Sequence, residues 1–186
     1  MSDTRPAATT RRDFLYVTTA AVGSVGAAAA VWPLIDQMNP DASVLALATV
    51  EIDLAPLAEG QGITVKWRGN PVFIRHRSAK EIEEARTVLV DELPDPEARN
   101  ANVAETALAA DENRVFKDKE QFIVMMGVCT HLGCVPLGQA GDYGGWFCPC
   151  HGSHYDTSGR IRKGPAPENL AVPKYEFIGD TRIRIG

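Results

Sequence analysis

The stretches CTHLGC at 129–134 and CPCHGSH at 148–154 hold all four cysteines and three of the four histidines of the chain. Cys129, His131 and Cys134 fall within six residues, and Cys148, Cys150, His151 and His154 within seven. Thiolate and imidazole bind transition metals, and two tight loops at the tips of strands can aim them at one point. A zinc ion, an iron-sulfur cluster and a pair of disulfides are the occupants such a pattern allows. Structural zinc fits poorly, because neither loop has a Cys-x2-Cys pair and several donors would stand unused. A cluster held by four cysteines also fits poorly, because the spacing differs and no cysteine would remain for a disulfide.

The residues around the loops predict a β framework. QFIVMMG (121–127) delivers the chain into the first loop and GGWFCP (144–149) into the second, while SHYD (153–156) and the turn DTSG lead away. Trp146 and Phe147 read as core residues beneath the loops, His154 as a structural residue at the start of the outgoing strand, and His76 as a surface or interface histidine. Upstream, GITVKWR and PVFIRHR form a plausible hairpin joined by Gly69 and Asn70. SAKEIEEAR follows with Ser78 and Glu81 in capping-box spacing, which predicts a short helix. Residues 81–120 carry twelve Asp or Glu against five Lys or Arg, and this acidic insert is expected to be a solvated excursion. LAV, YEFI and TRIRI supply further short strands. Short strands at close intervals with little helix indicate an antiparallel all-β domain over 49–186.

The N-terminal part is of another kind. Phe14 to Ile35 is 22 residues without a charge, enough as a helix rising about 1.5 Å per residue to cross a hydrocarbon core of about 30 Å. Its Ala- and Gly-rich interior suits packing on other membrane helices. It exceeds the roughly 7 to 15 apolar residues of a cleaved secretory signal, so 14–35 is read as a retained anchor. Arg5, Arg11 and Arg12 precede it and the next basic residue is Lys66, which keeps 1–13 cytoplasmic and exports the remainder. TRRDFL resembles a twin-arginine export signal, although Tyr16 stands where Lys is common. Residues 36–48 are read as a flexible tether and hinge. A net charge of -5 without a basic stripe excludes nucleic acid as a partner.

CTHLGC with CPCHGSHYD closely resembles the two cluster-binding boxes of the Rieske iron-sulfur proteins. TRRDFLY, TVKW, PVFIR and GRIRKGPAPENL extend the resemblance to the Rieske subunits of bacterial ubiquinol:cytochrome c oxidoreductases. The resemblance implies a 2Fe-2S cluster held by Cys129, His131, Cys148 and His151, inside a cluster-binding subdomain of about 127–168. It also implies a disulfide between Cys134 and Cys150, found in the quinol-oxidising branch. Ser153 would donate a hydrogen bond to a bridging sulfide and Tyr155 to a cysteine sulfur, Gly164 and Pro165 would begin a stiff proline loop over the cluster, and Leu132 would shield it near a docking tip.

On the same resemblance His151 takes the quinol hydroxyl, with proton and electron uptake coupled because reduction raises the basicity of a metal-bound imidazole. The implied partners are a cytochrome b subunit, a membrane-anchored c-type cytochrome, ubiquinol and membrane lipid, in a dimeric complex. The implied location is the bacterial inner membrane, crossed once, with the Rieske domain periplasmic. Two other readings remain at this stage: a Rieske small subunit of another exported oxidoreductase, and a zinc-stabilised interaction module.

Overall fold

The computed structural model describes residues 10–39 and 48–186. Most of the expected 36–48 tether, and the first nine residues, lie outside them. The chain divides into two units, Met1–Leu45 and Ala46–Gly186.

The first unit holds one helix, α1 (Arg11–Asp36), long and apolar enough to cross a membrane. It begins three residues before the uncharged stretch, and the cause is local. Thr10 Oγ1 accepts the Asp13 N–H at 3.2 Å while the Asp13 carboxylate accepts the Thr10 N–H at 2.8 Å. Thr-Arg-Arg-Asp is thus a reciprocal cap, and the paired arginines occupy the first helical turn.

The second unit is built on three antiparallel sheets among the described residues. β1 (Val50–Asp53), β10 (Arg182–Ile185) and β9 (Tyr175–Phe177) form one, in the order β1-β10-β9. β2 (Gly62–Trp67), β3 (Asn70–His76) and β4 (Phe122–Met126) form the second, with β3 central. β5 (Leu137–Gly138), β6 (Gly144–Cys148), β7 (Ser153–Asp156) and β8 (Ile161–Lys163) form the third. The β2–β3 hairpin turns at Arg68 and Gly69, both with left-handed φ (47° and 83°), and Asn70 already pairs with Trp67. That is the turn geometry that matches strand twist.

The β3–β4 pair is a wall between two cores. Val72, Ile74, Phe122 and Val124 face one core with Ile52, Tyr175 and Ile183. Phe73, Ile123 and Met125 face the other, which contains Cys129, Cys148, Trp146 and Tyr155. Burial on both faces explains why PVFI and FIVMM are continuous apolar runs rather than alternating ones. It also makes the strand that feeds the first loop one of the most enclosed in the molecule.

After α2 (Ala79–Arg86), capped by Ser78 and Glu81 as expected, the acidic insert departs from the sequence expectation. It is not a solvated excursion. Leu93, Asp95, Ala98, Asn100, Ala109, Asp111, Arg114 and Val115 are all buried. A bridge between Glu97 and Leu108 closes the insert on itself, and one between Asn100 and Val172 joins it to the body. Charge composition misled because the buried charges are compensated.

Three arginines carry that compensation, each at most 1% exposed. Arg77 pairs with Asp111 at 2.6 Å and donates to the Glu120 carbonyl at 2.7 Å. Arg160 pairs with Asp156 at 2.7 Å and donates to the carbonyls of Ala109 and Ala85 at 3.1 and 2.8 Å. Arg114 binds backbone carbonyls instead: Ser158 at 2.7 Å, Leu170 at 2.6 Å and Ala98. Burial pulls the Arg114 guanidinium down to about 10, against the opposing fields of Asp156, Asp111 and Asp95, so it stays charged at neutral pH.

Asp111 also accepts the Ser158 hydroxyl, so the insert is fastened to the chain leaving the second loop. The substitution Asp111→Ala strands the Arg77 guanidinium and is expected to cost about 3–5 kcal/mol of unfolding free energy, measured by denaturant titration followed by circular dichroism.

Candidate metal centre

Each loop closes on itself in the same way. The Gly133 N–H donates to the Cys129 carbonyl at 2.9 Å, and the Gly152 N–H to the Cys148 carbonyl at 3.0 Å. Both glycines have left-handed φ (79° and 78°), which lets the chain reverse within the five-residue turns Cys129–Gly133 and Cys148–Gly152. Because each cysteine is the first residue of its turn, its side chain stays with the strand and the core, and the histidine lies further round the turn. Cys129 and Cys148 are accordingly buried, His131 is half-buried and His151 is exposed.

The two imidazole rings meet edge to face, with centroids 4.7 Å apart and planes at 88°. Cys134 and Cys150 form a disulfide that ties loop to loop. The thiols of Cys129 and Cys148 remain free. With two cysteines committed to the disulfide, a four-cysteine cluster has no donor set here. The remaining candidates are Cys129, Cys148, His131 and His151.

The surroundings prepare the thiols unequally. Burial pushes the Cys129 thiol up, but the Tyr155 hydroxyl at 3.3 Å, the His131 backbone N–H, Cys148 and Ser153 outweigh it, and the net shift is downward. Burial and the neighbouring Cys129 push Cys148 up. Burial, then Cys129, raises Tyr155, so its hydroxyl keeps its proton as a donor. Two thiols side by side, one poised to ionise beside hydroxyl donors, suit a cationic metal centre, and the mixed sulfur and nitrogen donors suit a 2Fe-2S cluster with two imidazole ligands.

The other expected residues are also located. Leu132 projects from the first loop, 70% exposed. Gly164 has φ 105°, and a Cβ there would collide with the Gly152 carbonyl, so the proline loop lies directly on the second loop. Pro165 is exposed, while Ala166 is buried in the same core as both free thiols. His154 stands apart from the histidine pair: its Nδ1 accepts the Asp142 N–H at 3.1 Å and its ring lies on Phe147. His76 is half-buried against Phe122 rather than at the surface, with Nδ1 2.8 Å from the Leu57 carbonyl.

Thr130 went unnoticed in the sequence. Its hydroxyl donates to the Glu168 carbonyl at 2.7 Å and so joins the first loop to the proline loop. A threonine inside a turn carries no signal of such a partner.

Comparison with known proteins follows the same lines. Residues 85–176 match the family model described as the Rieske 2Fe-2S domain, and residues 1–41 match one described as "Ubiquitinol-cytochrome C reductase Fe-S subunit TAT signal". The ubiquinol-cytochrome c reductase iron-sulfur subunit of Cereibacter sphaeroides is 55% identical over 187 residues, covering 100% of both chains. That of Bradyrhizobium diazoefficiens is 57% identical over 178 residues, covering 95% of this chain and 94% of its own.

The chain belongs to this family of iron-sulfur subunits. Its cofactor is a Rieske 2Fe-2S cluster, and the zinc module and the small subunit of an unrelated oxidoreductase fall away. A chain of a solved "Hyperthermophilic respiratory Complex III" shares the fold at 23% identity and TM-score 0.50, covering 90% of this chain and 98% of that one.

Tyr155 is the largest side-chain influence holding Cys129 down. In cluster-free protein, Tyr155→Phe is expected to move the pH profile of Cys129 alkylation upward, read by mass spectrometry of the labelled peptide.

Proposed function

We propose that this chain is the electron-transfer subunit of a ubiquinol-cytochrome c reductase, with Cys129 and Cys148 on one iron and His131 and His151 on the other. The observation that carries the reading is the pair of touching imidazoles above two buried free thiols, in loops joined by a disulfide. When bound, the cluster supplies a one-electron relay from ubiquinol to a c-type cytochrome, in the range of about -150 to +300 mV given to such centres.

The chain's own residues do the rest. The free ring nitrogen of exposed His151 accepts a hydrogen bond and then the proton from the quinol hydroxyl. His131, half-buried, braces that ring. Tyr155 directs its hydroxyl at the Cys129 sulfur, and the Ser153 hydroxyl would serve a bridging sulfide; both favour the more negative state of the site.

Leu132, Val135 and Leu137 are 70%, 53% and 54% exposed on the first loop and the strand that leaves it. Apolar side chains in that position suit docking on a cytochrome b subunit, where they exclude water from His151. In this reading α1 is the single membrane anchor, packed among helices of a dimeric complex. Its N-terminus is cytoplasmic and the β domain lies on the exported side of a bacterial inner membrane. Support for that orientation comes from Arg5, Arg11 and Arg12 ahead of the span and the absence of another basic residue before Lys66.

Electron paramagnetic resonance of ascorbate-reduced membranes tests the ligand set. His131→Ala and His151→Ala are each expected to abolish the Rieske signal, while His154→Ala retains it. A silent wild-type spectrum with stoichiometric zinc would sink the assignment.

A further inference from the structure

The acidic insert and the two loops meet at one group of buried side chains. Asp95, in the insert, is buried, and its Oδ2 accepts the Asn169 backbone N–H at 2.9 Å and the Arg99 Nε–H at 3.1 Å. Asn169 is also buried, and its amide is fully used. Nδ2 donates to the carbonyls of Asp95 and Glu97 at 3.0 and 2.8 Å, and Oδ1 accepts the Ile161 N–H at 2.8 Å. Arg99 adopts a left-handed φ of 48°, unfavourable for a residue with a Cβ, and places its guanidinium between Asp95, Glu97 and Glu168.

From there the chain of bonds reaches the loops. The Glu168 N–H donates to Thr130 Oγ1 at 3.3 Å, and two residues earlier the Ala166 N–H donates to Ser153 Oγ at 3.2 Å. The 164–169 segment therefore touches both loops on its inner side and the insert on its outer side. It belongs to no strand, so side-chain bonds fix its place.

We propose that Asp95 and Asn169 are positioning residues for the iron-sulfur site. They clamp residues 164–169 so that the Ala166 N–H occupies the oxygen of buried Ser153 and leaves the Ser153 proton to be donated within the iron-sulfur site. A hydroxyl that accepts an N–H still has its own hydrogen to give, and fixing the first bond orients the second. A hydroxyl donor at a sulfur of such a centre stabilises the reduced, more negative state. The inference deepens the ligand assignment above and rests on it.

The test compares Asp95→Ala, Asp95→Asn and Asn102→Ala with wild type, each in the full chain within its membrane complex. Asn102 is the matched control: it ties the same insert to the Pro173 carbonyl at 2.8 Å and the Tyr175 N–H at 3.1 Å, away from the loops. Two quantities are read, deuterium exchange of the 164–169 amides and the midpoint potential of the Rieske signal.

Asp95→Ala is expected to speed that exchange about tenfold, the effect of losing a buried charged acceptor, and to lower the potential. Asp95→Asn keeps an oxygen for the Asn169 N–H and is expected to move both less, in the same direction. Asn102→Ala is expected to leave both at wild-type values.

Unchanged exchange and potential in Asp95→Ala would overturn the proposal, as would equal changes in Asn102→Ala, which would mark general loosening of the insert. Should Asp95→Ala not accumulate, wild-type values in Asp95→Asn would overturn it instead. A wild-type chain without a Rieske signal would remove the ligand assignment, while the exchange measurement would still read the clamp.

Discussion

The domain depends on three guanidinium groups held out of water. Taking a charge into a protein interior costs several kcal/mol unless its hydrogen bonds are made, and Arg77, Arg114 and Arg160 make theirs largely to backbone carbonyls of segments that have no ladder of their own. A guanidinium is suited to this, because its five N–H donors spread in a plane and can satisfy several strands of irregular chain at once. Arg114 does so at Ala98, Ser158 and Leu170, which join the insert, the turn after β7 and the segment after the proline loop. Apolar residues in their place would leave those carbonyls buried and unpaired.

The placing of the loops follows from that constraint. The arginines hold the insert and the turn at 156–160 against the β3–β4 wall, and both loops spring from strands that share the core on that side. Neither loop is long, and each reverses within five residues, so position at the strand ends becomes position at the sulfurs. The disulfide then ties one loop to the other. Tyr155 reports how tightly this closes: it rises from β7 of the second loop's hairpin, yet its hydroxyl reaches Cys129 of the first.

Much of this was legible in the sequence, for reasons that differ by feature. The loops announced themselves because cysteine and histidine are uncommon and were concentrated in two short stretches. The strand hairpin at 62–76 and the α2 cap were readable because turn and cap chemistry is local. The insert was misread because its fate turns on partners 34 to 47 residues away in sequence, as between Arg77, Asp111 and Ser158. A count of charges sees acidic residues and infers water. It does not see that Asp95, Asp111 and Asp156 each face an arginine. Thr130 and Ala166 escaped for a similar reason, since one hydroxyl and one backbone N–H acquire meaning only once the proline loop lies beside them.

Exposure within the site is graded, and the grading bears on how the proposed reaction can proceed. On the proposed ligand set the sulfur donors lie in the core and the nitrogen donors toward the solvent, so proton exchange has only the imidazoles available to it. Water at an exposed imidazole would compete with quinol for the same hydrogen bond, and in bulk solvent that competition favours water. On the proposed docking, the apolar residues Leu132, Val135 and Leu137 offer the remedy, because a partner surface that covers them would also keep water from His151. Selectivity for quinol over solvent is then a property of the docked assembly. On that reading the chain by itself contributes an asymmetric tip, with buried thiols on one side and an exposed imidazole on the other that a partner would complete.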